Sequence, residues 1–136
     1  MTDINAAIAA AASGMRAQTV RMRIAAENVA NANSTGTDPN QDPFRRRIPL
    51  LESTTLASGA TGVRVRGANF DMSEFREEYN PGHPAANEAG YVQLPNIDTL
   101  VEMMDLREAT RAYEANLNMI EAARTMTNRA LDLLRR

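Results

Sequence analysis

Few residues in this chain can make or break bonds, and their spacing keeps them apart. His83 is the single histidine of 136 residues, set between Gly82 and Pro84. An imidazole can act as a general base or bind a metal. A metal site needs further ligands at suitable spacing; there is no cysteine, and only Glu77 and Glu78 lie nearby. Ser13, Ser53 and Ser73 supply hydroxyls, but no spacing brings His83 to one of them as nucleophilic catalysis requires. Glu77 and Glu78 are neighbours, so on a strand they point to opposite faces and cannot share proton transfer. The stretch SGATGVRVRG (58–67) is glycine-rich, yet it lacks G-x-x-x-x-G-K-[ST], and no lysine exists to meet a phosphate. Arg45–Arg47 could dock an anion, but a solvated strand edge accounts for it more simply. The sequence thus predicts no catalytic residue, no cofactor site and no metal site.

What remains is a chain built to pack. Its length suits one domain. Its net charge of -2 argues against a general affinity for nucleic acid or anionic membrane. All fifteen basic residues are arginine, which fits compositional bias. No run approaches the roughly 18 apolar residues of a membrane span. The Ala6–Ala12 run is only weakly apolar and follows Asp3, so it reads as mature sequence and not as a cleaved signal.

Two seams at helical spacing dominate the ends. Near the N-terminus Ile4, Ile8, Ala11, Met15, Gln18, Met22, Ala25 and Val29 step by 4 and 3, the 3.5-residue period of a coiled-coil helix. Gly14 is an internal cost of up to about 1 kcal/mol relative to alanine. The C-terminal stretch carries two seams side by side. One runs Met103, Leu106, Thr110, Tyr113, Leu117, Ile120, Arg124, Thr127, Leu131, Leu134; the other is Ala112, Asn116, Met119, Ala123, Met126, Ala130, Leu133. A face that wide calls for two neighbours, of which this chain supplies one.

The first helix runs into AAENVANANSTGT (25–37). Asn31, Asn33 and Gly36 can adopt left-handed backbone and stop it. Asn28 and Asn31, three apart, share a side of the last turn, where their amides are free to bond a neighbouring chain.

Between the helices, residues 35–96 hold all six prolines and six of seven glycines. Phe44–Ile48 and Val63–Arg66 read as strands around a turn at Ser58–Gly62. Phe75, Glu77 and Tyr79 alternate, although Asp71 and Glu74 also match a capping box. Asn80–Asn96 is too punctuated for regular structure and reads as an ordered arm. The expected fold is mainly α with a small β part. An N-terminal core helix (1–34) is followed by a β-rich hairpin-like insert (35–79), an extended arm (80–96) and a C-terminal core helix (97–136).

Two stretches carry a resemblance. AASGMRAQTVRMRIAAENVANANSTGT (11–37) resembles the N-terminal signature of the bacterial flagellar rod and hook family, A-x-N-x-A-N-x-x-(S/T)-x-G, matched by Ala26, Asn28, Ala30, Asn31, Ser34 and Gly36. Residues 79–126 are similar to the family's proximal rod subunits: Pro81-Gly82-His83-Pro84, Gly90-Tyr91-Val92, Leu94-Pro95-Asn96, Glu102-Met103-Met104 and Arg111–Asn116. The resemblance implies a structural subunit of a helical rod that crosses the periplasm and carries torque from membrane ring to hook. It also implies export by the flagellar type III apparatus without a cleaved signal. The implied partners are further copies, other proximal rod proteins, and the adaptor and membrane ring below. Assembly contacts are then expected at Ile4, Ile8, Met15, Met22, Val29, Asn28 and Asn31. On the second helix they are expected at Met103, Leu106, Tyr113, Asn116, Leu117, Ile120, Met126, Leu131 and Leu134. A companion axial subunit, or a soluble coiled-coil adaptor or export chaperone, is the alternative; a discrete helical dimer in solution would mark the latter.

Overall fold

The computed structural model describes Thr2–Arg136. Met1, the first residue of the segment expected over 1–34, lies outside the described residues. The described residues form α1 (Thr2–Ala30), β1 (Arg47–Thr55), β2 (Thr61–Phe70), β3 (Arg76–Tyr79), β4 (Tyr91–Leu94) and α2 (Thr99–Leu134). The fold is mainly helical, with two small antiparallel sheets between terminal helices, as the sequence predicts.

The helices run about 44 and 54 Å at 1.5 Å per residue and pack antiparallel. Asn28 meets Glu102, Met22 meets Thr110, and Gly14 meets Asn116. At Gly14 the missing side chain makes room for the Asn116 amide, because a Cβ there would lie 2.7 Å from Asn116 Nδ2. The stripe that α2 turns inward, Glu102, Ala109, Asn116 and Ala123, steps by seven. It shares Asn116 and Ala123 with the second predicted seam and runs beside the first. Helix α1 therefore covers the inner margins and leaves the outer members of both seams, such as Met119 and Met126 on one and Met103 and Leu117 on the other, uncovered.

The buried stripe of α1 is also rotated from the predicted seam. Ala11, Ser13, Ala17, Ile24, Ala25 and Asn28 are buried, while Ile4, Ile8, Met15, Met22 and Val29 are half-buried along its edge. Small residues hold the centre because they allow close packing on two sides, against α2 and against the β1–β2 hairpin. Ser13 anchors the hairpin: its Oγ accepts the Val63 amide at 3.1 Å and donates to Ala10 O at 2.6 Å.

The first strand starts at Arg47, three residues into the stretch Phe44–Ile48 read as strand, and runs on to Thr55; the Arg46 amide donates to Asn96 Oδ1 at 2.8 Å instead of to a ladder. Leu50 pairs with Gly67 and Leu51 with Val65, leaving Arg66 as a bulge. The hairpin turn centres on Gly59, with φ +82. The segment expected as an irregular arm contains a strand. β4 pairs with β3, and residues 80–90 are their connection. Asn80 N donates to Gly90 O and Asn87 N to Tyr91 O, both at 2.9 Å, and Gly90 turns the chain at φ +88.

α1 ends without any left-handed asparagine. All positive-φ residues among those described are glycines, and Gly36 is not one of them. The chain leaves the helix through turn bonds from Ala32 N to Val29 O and Ser34 N to Asn31 O. α2 begins at Asp98, whose carboxylate caps Leu100 N at 3.0 Å.

Candidate assembly surface

A buried polar clamp joins the C-terminal end of α1, the start of β1 and the first turn of α2. Glu102 is 2% exposed and receives two donors, Asn28 Nδ2 at 3.1 Å and the Arg46 guanidinium. Arg46 also reaches Asp71 Oδ2 at 3.5 Å and Asp105 Oδ2 at 3.6 Å. Burial works against its charge, but bonding to Glu102 and then to Asp71 raises its pKa above the ordinary value. Asp71 is shifted down, first by the Ser73 backbone amide and hydroxyl and then by Arg46. Asn96 closes the ring, its Nδ2 donating to Asp71 O at 2.9 Å and to Ser73 Oγ at 3.0 Å. Among the described residues every buried side-chain polar atom has a partner. The clamp therefore holds the geometry of the three segments it joins.

This changes the reading of the asparagines and of the arginine triplet. Asn28 is not a docking amide: it donates to Arg47 O at 2.9 Å and accepts from Arg47 N at 3.1 Å, at 1% exposure. Asn31 likewise turns back, Nδ2 donating to Glu27 O at 2.8 Å. Asn116 lies between the helices, bonded to Ala112 O at 3.0 Å. Asn28, bonded through both its amide nitrogen and its oxygen, has no group left to offer a neighbouring chain. The arginine triplet is neither a solvated edge nor an anion patch. Arg45 donates to Asp71 O and stacks 4.2 Å from the Phe75 ring centroid, Arg46 holds the clamp, and Arg47 pairs with Glu27 at 3.1 Å. His83 is structural: Nδ1 accepts the Ala85 amide at 3.0 Å, so Nε2 faces Thr35 Oγ1 at 3.3 Å as donor. The clamp was missed in the sequence, although one signal was present. Glu102 stands seven residues before Ala109 on the inward stripe, where only a paired carboxylate can sit.

The exposed surface is apolar along α2. Met103 is 58% exposed, Met126 61% and Leu134 83%, with Leu117 and Leu131 also exposed. Leu106, Tyr113 and Ile120 are half-buried beside them. Thr110 Oγ1 lies 3.5 Å from Met22 Sδ, so the edge of α1 bearing Ile4, Ile8, Met15, Met22 and Val29 runs beside the first seam of α2. The two form one ribbon along a side of the helix pair. Met126 lies on the opposite flank of α2.

Known proteins match along almost the whole chain. The chain is 43% identical to flagellar basal-body rod protein FlgC of Agrobacterium fabrum (strain C58), covering 99% of this chain and 98% of that protein. It is 37% identical to the Aquifex aeolicus protein of that name, over 97% and 98%, and 38% identical to that of Bacillus subtilis, over 90% and 92%. Residues 88–133 match the family model for the flagellar basal body rod FlgEFG protein C-terminal region. The matched residues take in β4 and nearly all of α2.

Proposed function

Because this chain belongs to the flagellar basal-body rod protein FlgC family, it is a structural subunit of the proximal rod of the bacterial flagellar basal body, and we propose that it assembles helically through the α1–α2 ribbon. The carrying observation is the continuity of that ribbon: half-buried residues of α1 and exposed residues of α2 form one apolar strip that this chain covers only in part. Burying each large apolar side chain contributes roughly 1.5–3 kcal/mol, so a strip of this length supports strong lateral association. The neighbours are further copies, other proximal rod proteins, and, below them, the adaptor and membrane ring. Torque then passes through interlocked helices as shear, resisted by side chains seated between neighbours. The subunit is not an enzyme in this reading, and it reaches the rod through the flagellar type III apparatus without a cleaved signal. A density map of the intact basal body at side-chain resolution tests the proposal. Met103, Leu117 and Leu131 are expected beneath neighbouring rod subunits; a ribbon facing solvent in the assembled rod would overturn it.

A further inference from the structure

The molecule carries complementary surfaces at opposite ends. The outer face of the β3–β4 hairpin presents Tyr79 and Tyr91, 64% and 43% exposed, with ring centroids 5.4 Å apart in an edge-on pair. Residues paired across antiparallel strands share a face, so Glu77 and Gln93 stand beside them while Val92 points inward and is buried. Glu74, Glu78 and Glu88 are exposed around the same hairpin. None of these carboxylates has an ion-pair partner among the described residues. Four carboxylates there face one nearby cation, Arg76, whose guanidinium donates to Pro95 O and Ala32 O and pairs with none of them.

The other end is the overhang of α2. In the antiparallel register that sets Gly14 against Asn116, α1 runs out of residues near position 128 of α2. Every residue from Asn128 onward is exposed, including Leu133 and Leu134. Residues 124–136 carry Arg124, Arg129, Arg135 and Arg136 against a single acid, Asp132. The overhang is thus apolar and basic, and the hairpin is aromatic and acidic. A rigid helix separates the two by about 48 Å at 1.5 Å per residue, so they cannot meet within one chain.

We propose that the Tyr79–Tyr91 face receives the α2 overhang of a second copy of this chain. Leucines cover the tyrosine rings, and arginines meet the carboxylates and ring faces, the pairing that aromatic and arginine-rich interfaces favour. The two patches differ, so the contact is head-to-tail and repeats without closing into a dimer. This rests on the rod reading and adds to it a longitudinal joint between copies, at the end of α2 where the lateral ribbon runs out.

The cysteine-free chain makes the test direct. Full-length Tyr91→Cys and Leu133→Cys chains are co-expressed in flagellated cells, and isolated basal bodies are treated with a short bis-maleimide. A crosslinked subunit pair is expected from the mixture, a ladder from chains carrying both substitutions, and neither from one single variant alone. Incorporated variants that give no pair, or Leu133→Cys joined to a different rod protein, would overturn the joint while leaving the rod reading intact. Absence of the unaltered subunit from basal bodies would instead overturn the rod reading. A charge swap covers the case in which a cysteine variant fails to incorporate. Arg135→Glu is expected to lower the amount of subunit in basal bodies and Glu77→Arg to restore it; no restoration counts against the joint.

Discussion

Glu102 sets the energetics at the residue scale. A carboxylate this buried is tolerable only because Asn28 and Arg46 bond to it, and removing one member leaves the others unpaired in a poorly solvated place. Glu102→Ala is expected to cost about 2–4 kcal/mol, read as a lower denaturant midpoint at unchanged slope. The range is set below a fully buried pair because Arg46 keeps 20% exposure and can fall back on Asp71 and Asp105. A loss under about 0.5 kcal/mol, the level of ordinary surface substitutions, would mean the clamp is incidental. Asp71 adds a pH dependence of known sign. Its folded pKa lies below its ordinary value of 3.8, so the unfolded chain binds more protons in acid and stability rises with pH there. The contribution is complete above the ordinary value and disappears as pH falls through the folded one. Asp71→Asn should therefore lower stability near neutrality and flatten the acid limb of the stability profile. An unchanged limb would remove Asp71 from the account.

At the scale of elements, Gly14 and Asn116 set how closely the helices approach. Alanine at 14 gains helix propensity but pushes a Cβ onto the Asn116 amide. We expect Gly14→Ala to destabilise by about 1–2 kcal/mol through overpacking. In an Asn116→Ala background the same change should stabilise by up to about 1 kcal/mol, a reversal that thermal unfolding of the four proteins would show or refute. The exposed seam separates two other positions. Leu117, 39% exposed, should accept aspartate with little loss of folding yet keep the subunit out of basal bodies. Ile120, half-buried toward α1, should lose folding stability as well. Incorporation of Leu117→Asp at the normal level would mean that seam is no interface. Periodicity made both helices and the excess apolar surface of α2 legible in the sequence, because a 3.5-residue repeat survives any choice of partner. It could not show which part of a wide face turns inward. That depended on small residues at Gly14 and Ala17, on the Ser13 bond to Val63, and on Asn28 finding Arg47 nineteen positions away. β4 was illegible for a similar reason: four residues pair only because Asn80, Asn87 and Gly90 close the loop before them.

For the whole molecule, stability is graded along its length, and the gradient matches the demands of assembly. The clamp end ties both helices, β1, the segment through Asp71 and Ser73, and the link into α2 by polar bonds across long stretches of sequence. Toward the far end the hairpin and α1 give out in turn, until α2 continues alone with every residue from Asn128 exposed. A helical turn without tertiary cover opens at little free-energy cost, since isolated helices of this length are marginal in water. Hydrogen exchange on the free subunit should therefore show amides of 128–135 exchanging at nearly unstructured rates while those around Ala109–Ala123 are protected. In isolated basal bodies the same terminal amides should become protected, because a neighbour now covers them. Removing residues 129–136 should leave the unfolding midpoint of the subunit within a degree or two, as expected for roughly 0.5 kcal/mol or less, and yet block incorporation. Uniform protection along α2 in the free subunit would mean that its end is stabilised by this chain alone, and assembly would then not be what orders it.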